Sequence, residues 1–224
     1  MLLLALDTCT ERLIVALRNG SEVDRWTNLD SEGNHARDLL FAVEDLLEGR
    51  VPDAVGITVG PGSFTGVRIG LASAKGLAEG WGIPLVALDN LAAMADAWNR
   101  LVPGSDAAAL PVVDARKKKF YGSLSFEGNV FVEPSDLTPH DWLDAVRRAW
   151  SGPVVLTGYQ GLLLAEALGE LPDDWSVLPV HDWTPGLLDQ LETGWGAGRF
   201  LPPEAGPRYL RLSEAEENLR SRST

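Results

Sequence analysis

The chain has 224 residues, of which 45% are hydrophobic and 23% are charged. This composition is typical of a globular protein with one large or two small domains and excludes a disordered or collagen-like chain. No apolar run approaches the roughly 18 residues of a membrane span, and the first residues lack a basic leader, so we expect a cytoplasmic protein without membrane contact. The formal net charge of −13 repels polyanions and argues against a primary nucleic-acid binder.

The first half of the chain is predicted to form three antiparallel strands followed by alternating helices and strands. Asn19 and Gly20 favour a tight hairpin, and apolar residues at helical spacing from Ala36 onward predict an amphipathic helix. In chain order, we predict strands at Leu2–Asp7, 13–17 and 22–27, a helix at 34–48, a strand at 54–59, a helix at 64–79, a strand at 83–88 and a helix from Asn90 to Trp98.

The second half repeats the pattern of the first. Residues 110–114 (LPVVD) echo residues 3–7 (LLALD), and a polar turn and a second strand, Phe120–Phe126, follow. Residues 154–158 form another apolar segment that ends in glycine before a helix, as residues 55–60 do. Such self-similarity predicts an internal duplication.

Two later helices begin with threonine followed by proline, a pattern that favours a helix start. Thr138 is the predicted N-cap of a helix at 139–150, and Thr184 is that of a helix at 185–200. We expect a short linker at 101–106 between an N-terminal unit (1–102) and a C-terminal unit (107–224), whose polar end from Ser213 frays.

The most informative segment is the glycine-rich run at residues 60–70 (GPGSFTGVRIG), which follows a strand and opens a helix. Backbone N–H groups at such a junction can hold a phosphate. The spacing G-x-G-x-x-x-G matches neither the dinucleotide fingerprint nor the P-loop, so a tight structural turn is the favoured interpretation. Weak nucleotide binding is the alternative, and its candidate residues are Asp7, Thr8, Gly60, Gly62 and Ser63.

Small residues recur every four positions along the second helix, at Gly66, Gly70 and Ala74, and Ser73 and Leu77 lie on the same side of the helical wheel. Each glycine inside a helix costs about 1 kcal/mol relative to alanine, so this ridge needs a structural reason. It allows either close packing on the protein's own sheet or a helix-to-helix contact with another chain.

The preceding helix favours the second alternative. Phe41 projects from its charged face, where Arg37 and Asp45 also lie, and a large aromatic residue in such a place is a common interface anchor. We therefore predict a protein interface formed by Arg37, Phe41, Asp45, Gly66, Gly70, Ser73, Ala74 and Leu77.

The cysteine, the histidines, two strand-end aspartates and one basic cluster give weaker indications of function. The single cysteine and three histidines show no metal-ligand spacing, so neither a metal site nor catalytic residues are predicted. Asp7 and Asp114 each end a strand, where a turn cap is favoured over a metal-holding role. The basic cluster Arg116-Lys117-Lys118-Lys119 is typical of a solvated turn, and local contact with an RNA brought in by another subunit is the alternative.

Several of these segments together resemble the bacterial TsaB (YeaZ) family. They are the run at residues 60–70, the opening residues 4–8 (LALDT), the Asp114-Ala115-Arg116 turn and residues 207–216 (PRYLRLSEAE). The resemblance implies an α/β protein with the duplicated, ribonuclease H-like fold of actin, Hsp70 and sugar kinases. Each of the two subdomains should contain a mixed sheet with flanking helices.

The resemblance also implies a non-catalytic subunit that pairs with a TsaD-like catalytic subunit and a TsaE-like ATPase. Together they transfer a threonylcarbamoyl group to the adenosine beside the anticodon of tRNAs that read codons beginning with A. This chain would touch tRNA only indirectly and have no cofactor of its own, with ATP or ADP at the partner interface. A homodimer through the same helices is expected when no partner is present. The alternative is a phosphotransferase or ATPase of the actin and sugar-kinase type that holds Mg-ATP with Asp7 and the loop at 60–63.

Overall fold

A computed structural model of the chain describes residues 1–28 and 35–211. Within them, the order strand, strand, strand, helix, strand, helix, strand, helix occurs twice. The first half contains β1 (Leu2–Asp7), β2 (Leu13–Asn19), β3 (Glu22–Asn28), α1 (His35–Leu47), β4 (Ala54–Thr58), α2 (Phe64–Trp81), β5 (Leu85–Leu88) and α3 (Asn90–Leu101). The second half contains β6 (Ala108–Asp114), β7 (Phe120–Phe126), β8 (Asn129–Leu137), α4 (Pro139–Ala149), β9 (Val154–Thr157), α5 (Gly161–Leu168), β10 (Trp175–Val177) and α6 (Thr184–Gly196).

The two halves form two five-stranded mixed sheets with the same topology. The first has the order β3-β2-β1-β4-β5, and the second has the order β8-β7-β6-β9-β10. In each, the first strand pairs antiparallel with the second and parallel with the fourth. The predicted duplication and the α/β fold with two mixed sheets are therefore confirmed.

The halves exchange a helix across a shared core. Helix α3 packs against β6, β7 and β9 of the second sheet, whereas α6 packs against β1, β2, β4 and β5 of the first. The two helices also contact each other closely, because a Cβ on Gly186 of α6 would lie 2.9 Å from the Ala93 backbone of α3. Residues from both sheets and both helices form one buried cluster. The predicted boundary between an N-terminal unit and a C-terminal unit, near residues 102–107, stays a prediction. Because α3 packs on the second sheet and α6 on the first, the two predicted units share one core.

The outer faces of the sheets are covered by the remaining helices. Helices α1 and α2 lie side by side on the first sheet and bury Leu39, Val43 and Leu71 against it. On the second sheet, α4 buries Trp142, whose indole Nε1 donates to the Phe120 carbonyl at 2.8 Å. The layers are thus helices, sheet, α3 with α6, sheet, helices.

Of the two predicted N-caps, Thr138 is confirmed. The Asp89 carboxylate accepts from the Ala92 amide, and the Thr138 hydroxyl accepts from the Asp141 amide. The predicted N-cap at Thr184 is wrong, because α6 begins one residue earlier and its N-cap position is Trp183, which makes no side-chain cap bond. The predicted frayed end from Ser213 and the helix start at Asn34 lie outside the described residues.

Candidate functional site

A cleft of about 760 Å³ opens where the ends of β1 and β6 face the start of α2. Its walls come from both halves of the chain and from the C-terminal segment. The first half contributes the residues after β1 and the glycine-rich loop, and the second half contributes the turn after β6. Such a volume lies within the range of small-molecule sites.

The carboxylate of Asp7 is buried beside this cleft and fully engaged by the chain itself. Its Oδ1 accepts from the Cys9 amide at 2.9 Å and the Thr58 hydroxyl at 2.7 Å, and its Oδ2 accepts from Trp183 Nε1 at 2.7 Å. Asp7 has no exposed surface. Three donors replace the water that a buried charge has lost, so the carboxylate stabilises the junction of the halves.

The glycine-rich loop is likewise filled by the chain's own residues. A Cβ on Gly62 would lie 2.0 Å from the Cys9 carbonyl oxygen, and a Cβ on Gly66 would lie 2.2 Å from that of Thr8. The Ser63 amide donates to the Cys9 carbonyl at 2.7 Å. The glycines are therefore needed for the close approach of the β1–β2 loop, as expected if residues 60–70 form a tight structural turn.

These contacts decide where the predicted nucleotide-binding residues lie. Asp7, Thr8 and Gly60 are buried and do not line the cleft, so nothing in the described geometry supports their role as nucleotide contacts, which stays a prediction. Gly62 and Ser63 do line the cleft. The Ser63 hydroxyl accepts from the Gly66 amide at 3.2 Å as the N-cap of α2.

Cys9 belongs to the same buried network. Its Sγ lies 3.1 Å from the Thr58 hydroxyl, which in turn donates to Asp7. Burial raises the pKa of the Cys9 thiol well above its usual value, and the neighbouring Asp7 charge raises it further. The thiol is therefore neutral, which does not suit a nucleophile.

The C-terminal strap, residues 199–211, crosses from the first half to the second over one side of the cleft. The Arg208 amide donates to the Val59 carbonyl at 2.7 Å, and Lys75 Nζ donates to carbonyls of Pro203 and Ala205 at 2.5 and 2.6 Å. At its end, Arg211 makes a bidentate pair with Asp136 of β8 at 2.7 and 2.8 Å. The strap thus ties the two sheets together.

Aromatic and cationic side chains form one wall of the cleft. The Phe64 and Tyr209 rings stack with centroids 5.2 Å apart. The Arg68 guanidinium lies 3.8 Å from the Phe64 ring centroid and donates to the Tyr209 hydroxyl at 2.6 Å. This arrangement joins the start of α2 to the strap through ring stacking and a cation–π contact.

The basic turn, residues 115–119, contributes another part of the cleft rim and has an unusual backbone. Arg116, Lys117 and Lys118 are all left-handed, with φ values of 60°, 53° and 59°. This conformation costs roughly 1–2 kcal/mol per non-glycine residue. The turn is closed by hydrogen bonds between Ala115 N and the Lys119 carbonyl and between Lys119 N and the Arg116 carbonyl. The sequence signal for this rim was the charge run alone, which does not predict the backbone conformation.

The predicted interface residues divide into two groups. Arg37, Phe41 and Asp45 are exposed on α1, and 61% of the Phe41 surface is accessible. Gly66, Gly70 and Ala74 are buried instead, which contradicts their predicted place on a contact surface. The ridge packs on the protein's own first sheet and β1–β2 loop, since a Cβ on Gly70 would lie 2.1 Å from the Thr8 hydroxyl. Ser73 and Leu77 are half-buried.

A second row of small residues lies on the outer side of α2. Ala72, Gly76 and Gly80 are exposed at helical spacing, and among the residues that the structure describes nothing lies within 4 Å of a Cβ built on either glycine. On the neighbouring helix α1, Leu40 and Phe41 are exposed by 49% and 61%. We call these five residues the outer helix surface. The glycines could have been noticed in the sequence as a second i, i+4 pair, whereas only the structure shows which pair faces outward.

Other elements of the site have no local signal in the sequence. Trp183 and Tyr209 reach Asp7 and Arg68 from 176 and 141 positions away along the chain. In the described part of the chain, no group of three or more acidic, histidine or cysteine side chains is arranged as a metal site. No helix among these residues combines the length and apolar character of a membrane span.

Comparisons with a family model, with curated sequences and with solved structures agree on the proteins that this chain is similar to. The model of the family described as TsaD, tRNA N6-adenosine threonylcarbamoyltransferase, matches residues 31–159, which is more than half of the chain. The tRNA threonylcarbamoyladenosine biosynthesis protein TsaB of Haemophilus influenzae is 37% identical over 126 residues, covering 54% of this chain and 52% of that protein. The matched part thus spans about half the length of this relative.

Two further relatives match along nearly the whole chain. The Bacillus subtilis protein of the same name is 28% identical over 230 residues, with 96% of each chain covered. The solved structure of YeaZ from Pseudomonas aeruginosa superposes with a TM-score of 0.74 at 28% identity, covering 93% of this chain and 99% of that one. These likenesses agree with the fold described above.

Proposed function

This chain belongs to the TsaB (YeaZ) family, and on that premise we propose that it is a non-catalytic subunit in tRNA threonylcarbamoyladenosine biosynthesis. It binds a TsaD-like catalytic subunit and keeps that subunit in an active shape. The complex then transfers a threonylcarbamoyl group, made by a separate enzyme, to the adenosine beside the anticodon in tRNAs reading codons that begin with A. A TsaE-like ATPase joins the pair.

The outer helix surface is the observation that carries this proposal. Gly76 and Gly80 reduce the stability of α2, and neither makes a close approach to another segment in the described part of the chain. Exposed small residues let the backbone of a second helix approach closely, and Leu40 and Phe41 on the neighbouring helix α1 offer apolar area for it to bury. A second helix from a homologous subunit fits such a surface.

The contacts of the residues around the cleft support a non-catalytic role for this chain. A magnesium-nucleotide enzyme of the sugar-kinase type needs a carboxylate directed at the metal, whereas the Asp7 oxygens accept from Cys9, Thr58 and Trp183. The loop that would wrap the phosphates is packed on Thr8 and Cys9. These contacts favour the subunit role over the phosphotransferase alternative, and any ATP or ADP is placed at the joint with the partner.

Gel filtration of the purified chain mixed with the TsaD protein of the same organism tests the proposal. The wild-type chain should co-elute with TsaD, and Gly76→Leu should abolish co-elution because leucine blocks a close helix crossing. Gly196→Leu is the matched control, since Gly196 is also an exposed helical glycine with open space around its Cβ position. Gly70→Leu is unsuitable, because its side chain would clash with Thr8 inside the fold.

The proposal fails if wild-type protein never co-elutes with TsaD, or if Gly76→Leu and Gly196→Leu co-elute equally well. Without TsaD, elution at the volume of a dimer that Gly76→Leu converts to a monomer would place the homodimer on the same surface.

A further inference from the structure

The basic turn and the aromatic wall line the same cleft, and we propose that this cleft binds the unpaired nucleotides and phosphates of an RNA. The choice of RNA rests on the proposed function in tRNA modification, whereas the site itself is argued from charge and shape. It would give the chain a direct RNA contact in addition to its role as a subunit.

The first observation is the local charge. Five side chains lining the cleft are cationic and two are anionic, in a chain whose net charge is −13. The cations are Arg68, Arg116, Lys117, Arg208 and Arg211, and the anions are Glu11 and Asp114. Arg211 and Arg208 also pair with Asp136 and Asp89, which do not line the cleft, so the basic turn and Arg68 contribute most of the local positive charge. At about 0.1 M salt the Debye length is roughly 10 Å, so acidic groups on distant faces are screened and the local charge acts on a ligand.

The second observation is the backbone of the turn. Three consecutive left-handed residues present Arg116, Lys117 and Lys118 together, and all three side chains are exposed. Left-handed conformations of long side chains persist only where surrounding structure fixes them, and they concentrate at functional sites. A solvated turn needs no such conformation, since glycine or asparagine would adopt it at lower energy.

The ion pairs on this rim leave room for an anionic ligand. Arg116 lies 2.9 Å from Glu11, with side chains 73% and 57% exposed. Exposed pairs of this kind contribute little to stability, so a phosphate oxygen can replace the carboxylate at small loss. Each phosphate contact also releases counterions, which gives binding a measurable salt dependence.

The third observation separates RNA from a free nucleotide. Tyr209 lines the cleft and is 43% exposed, so an unpaired base can stack on it, with Arg68 next to the ring. The groups that hold a nucleoside triphosphate are already used by the chain, because the Ser63 amide donates to Cys9 and Asp7 is enclosed. Stacking surface and rim cations without a phosphate loop are typical of single-stranded RNA binding.

Fluorescence anisotropy with a labelled RNA hairpin that carries an unpaired loop tests the site on the full-length chain. The double variant Lys117→Glu/Lys118→Glu keeps side chains of similar backbone preference and reverses two charges. The matched control is Arg147→Glu/Arg148→Glu, which reverses two exposed charges near the end of α4, away from the cleft. Tyr209→Ala removes the stacking surface.

We expect the turn variant to weaken binding by about tenfold and to make the slope of log K against log salt shallower by about 1.4, which is two single-strand phosphate contacts. The control should keep the wild-type slope, and Tyr209→Ala should weaken binding of the looped hairpin more than that of a fully paired duplex. Equal losses in both double variants would overturn the site, as would no RNA binding at low salt.

Displacement of the RNA by ATP or by polyglutamate at equal charge concentration would also overturn it, in favour of a nucleotide site or of unspecific anion attraction. Co-elution with TsaD is measured separately. A chain that binds TsaD but not RNA refutes the RNA site alone, and a chain that binds RNA but not TsaD refutes the subunit role alone.

Discussion

Glycines on the two sides of α2 show how one residue type serves two purposes. Gly70 faces Thr8 at a distance that no side chain can enter, whereas the space around Gly76 is open. Gly70→Ala should destabilise the protein by about 1–3 kcal/mol through overpacking. Gly76→Ala should stabilise it by about 0.5–1 kcal/mol, because alanine is the better helix former. Urea unfolding of both variants measures the two changes, and a destabilised Gly76→Ala would contradict the open outer face.

The buried Cys9 thiol should make the stability of the protein depend on pH. Because burial and Asp7 raise the pKa of its thiol in the folded chain, folding favours the protonated form. The stabilisation is complete below the unfolded pKa of about 8.5 and is lost as pH rises toward the folded value. The free energy of unfolding of wild type should therefore fall more steeply above pH 8.5 than that of Cys9→Ala. Parallel curves for the two proteins would show that the thiol is not buried as described.

At the scale of elements, the threonines at the starts of α4 and α6 contribute differently to stability. Thr138 caps α4 through the Asp141 amide, so Thr138→Ala should cost about 1 kcal/mol. Thr184 is the first residue of α6, and its buried hydroxyl oxygen has no hydrogen-bond partner within residues 1–28 and 35–211. Thr184→Val should thus be neutral or slightly stabilising, since it removes a buried polar group without breaking a bond. Thermal unfolding of both variants measures the two changes. A loss of stability in Thr184→Val as large as that in Thr138→Ala would contradict the conclusion that Thr138 alone is a cap.

Local patterns predicted most elements, because their signals lie within the elements themselves. Strand Leu2–Asp7 and strand Phe120–Phe126 have the predicted bounds, and α1 and α2 differ by a few residues at their ends. Strands β8 and β10 were not predicted. The first carries Pro134 and several polar residues, and the second has only three residues, so neither shows a clear alternation or apolar run.

The orientation of faces was less predictable than the elements themselves. Gly66 and Gly70 mark a close approach in the sequence, but the approaching group is the β1–β2 loop, more than fifty positions earlier in the chain. Asp7 ends a strand, where the sequence leaves a turn cap or a metal-holding role open, and its third donor, Trp183, comes from the other end of the sequence. Sequence spacing cannot reveal which distant segment satisfies a buried group.

For the whole molecule, the exchange of α3 and α6 and the strap make the two halves one unit. The sheets share a core, and the strap links Val59 in the first half to Asp136 in the second. Two halves joined in this way, with α1 and α2 on one outer face, suit the proposed role of holding a partner subunit. Neither the exchange nor the strap has a local sequence signal, because both depend on contacts between segments far apart in the chain.

The rate of tRNA threonylcarbamoylation by TsaD and TsaE, reconstituted with variants of this chain at matched folded fraction, tests the central claim most directly. The account predicts that Gly76→Leu and Phe41→Glu lower the rate to that measured without the chain, because docking is lost. Asp7→Asn, once its folded fraction is matched, should support most of the wild-type rate, because the carboxylate serves the fold. Loss of activity in folded Asp7→Asn, with full activity in Gly76→Leu and Phe41→Glu, would contradict the account.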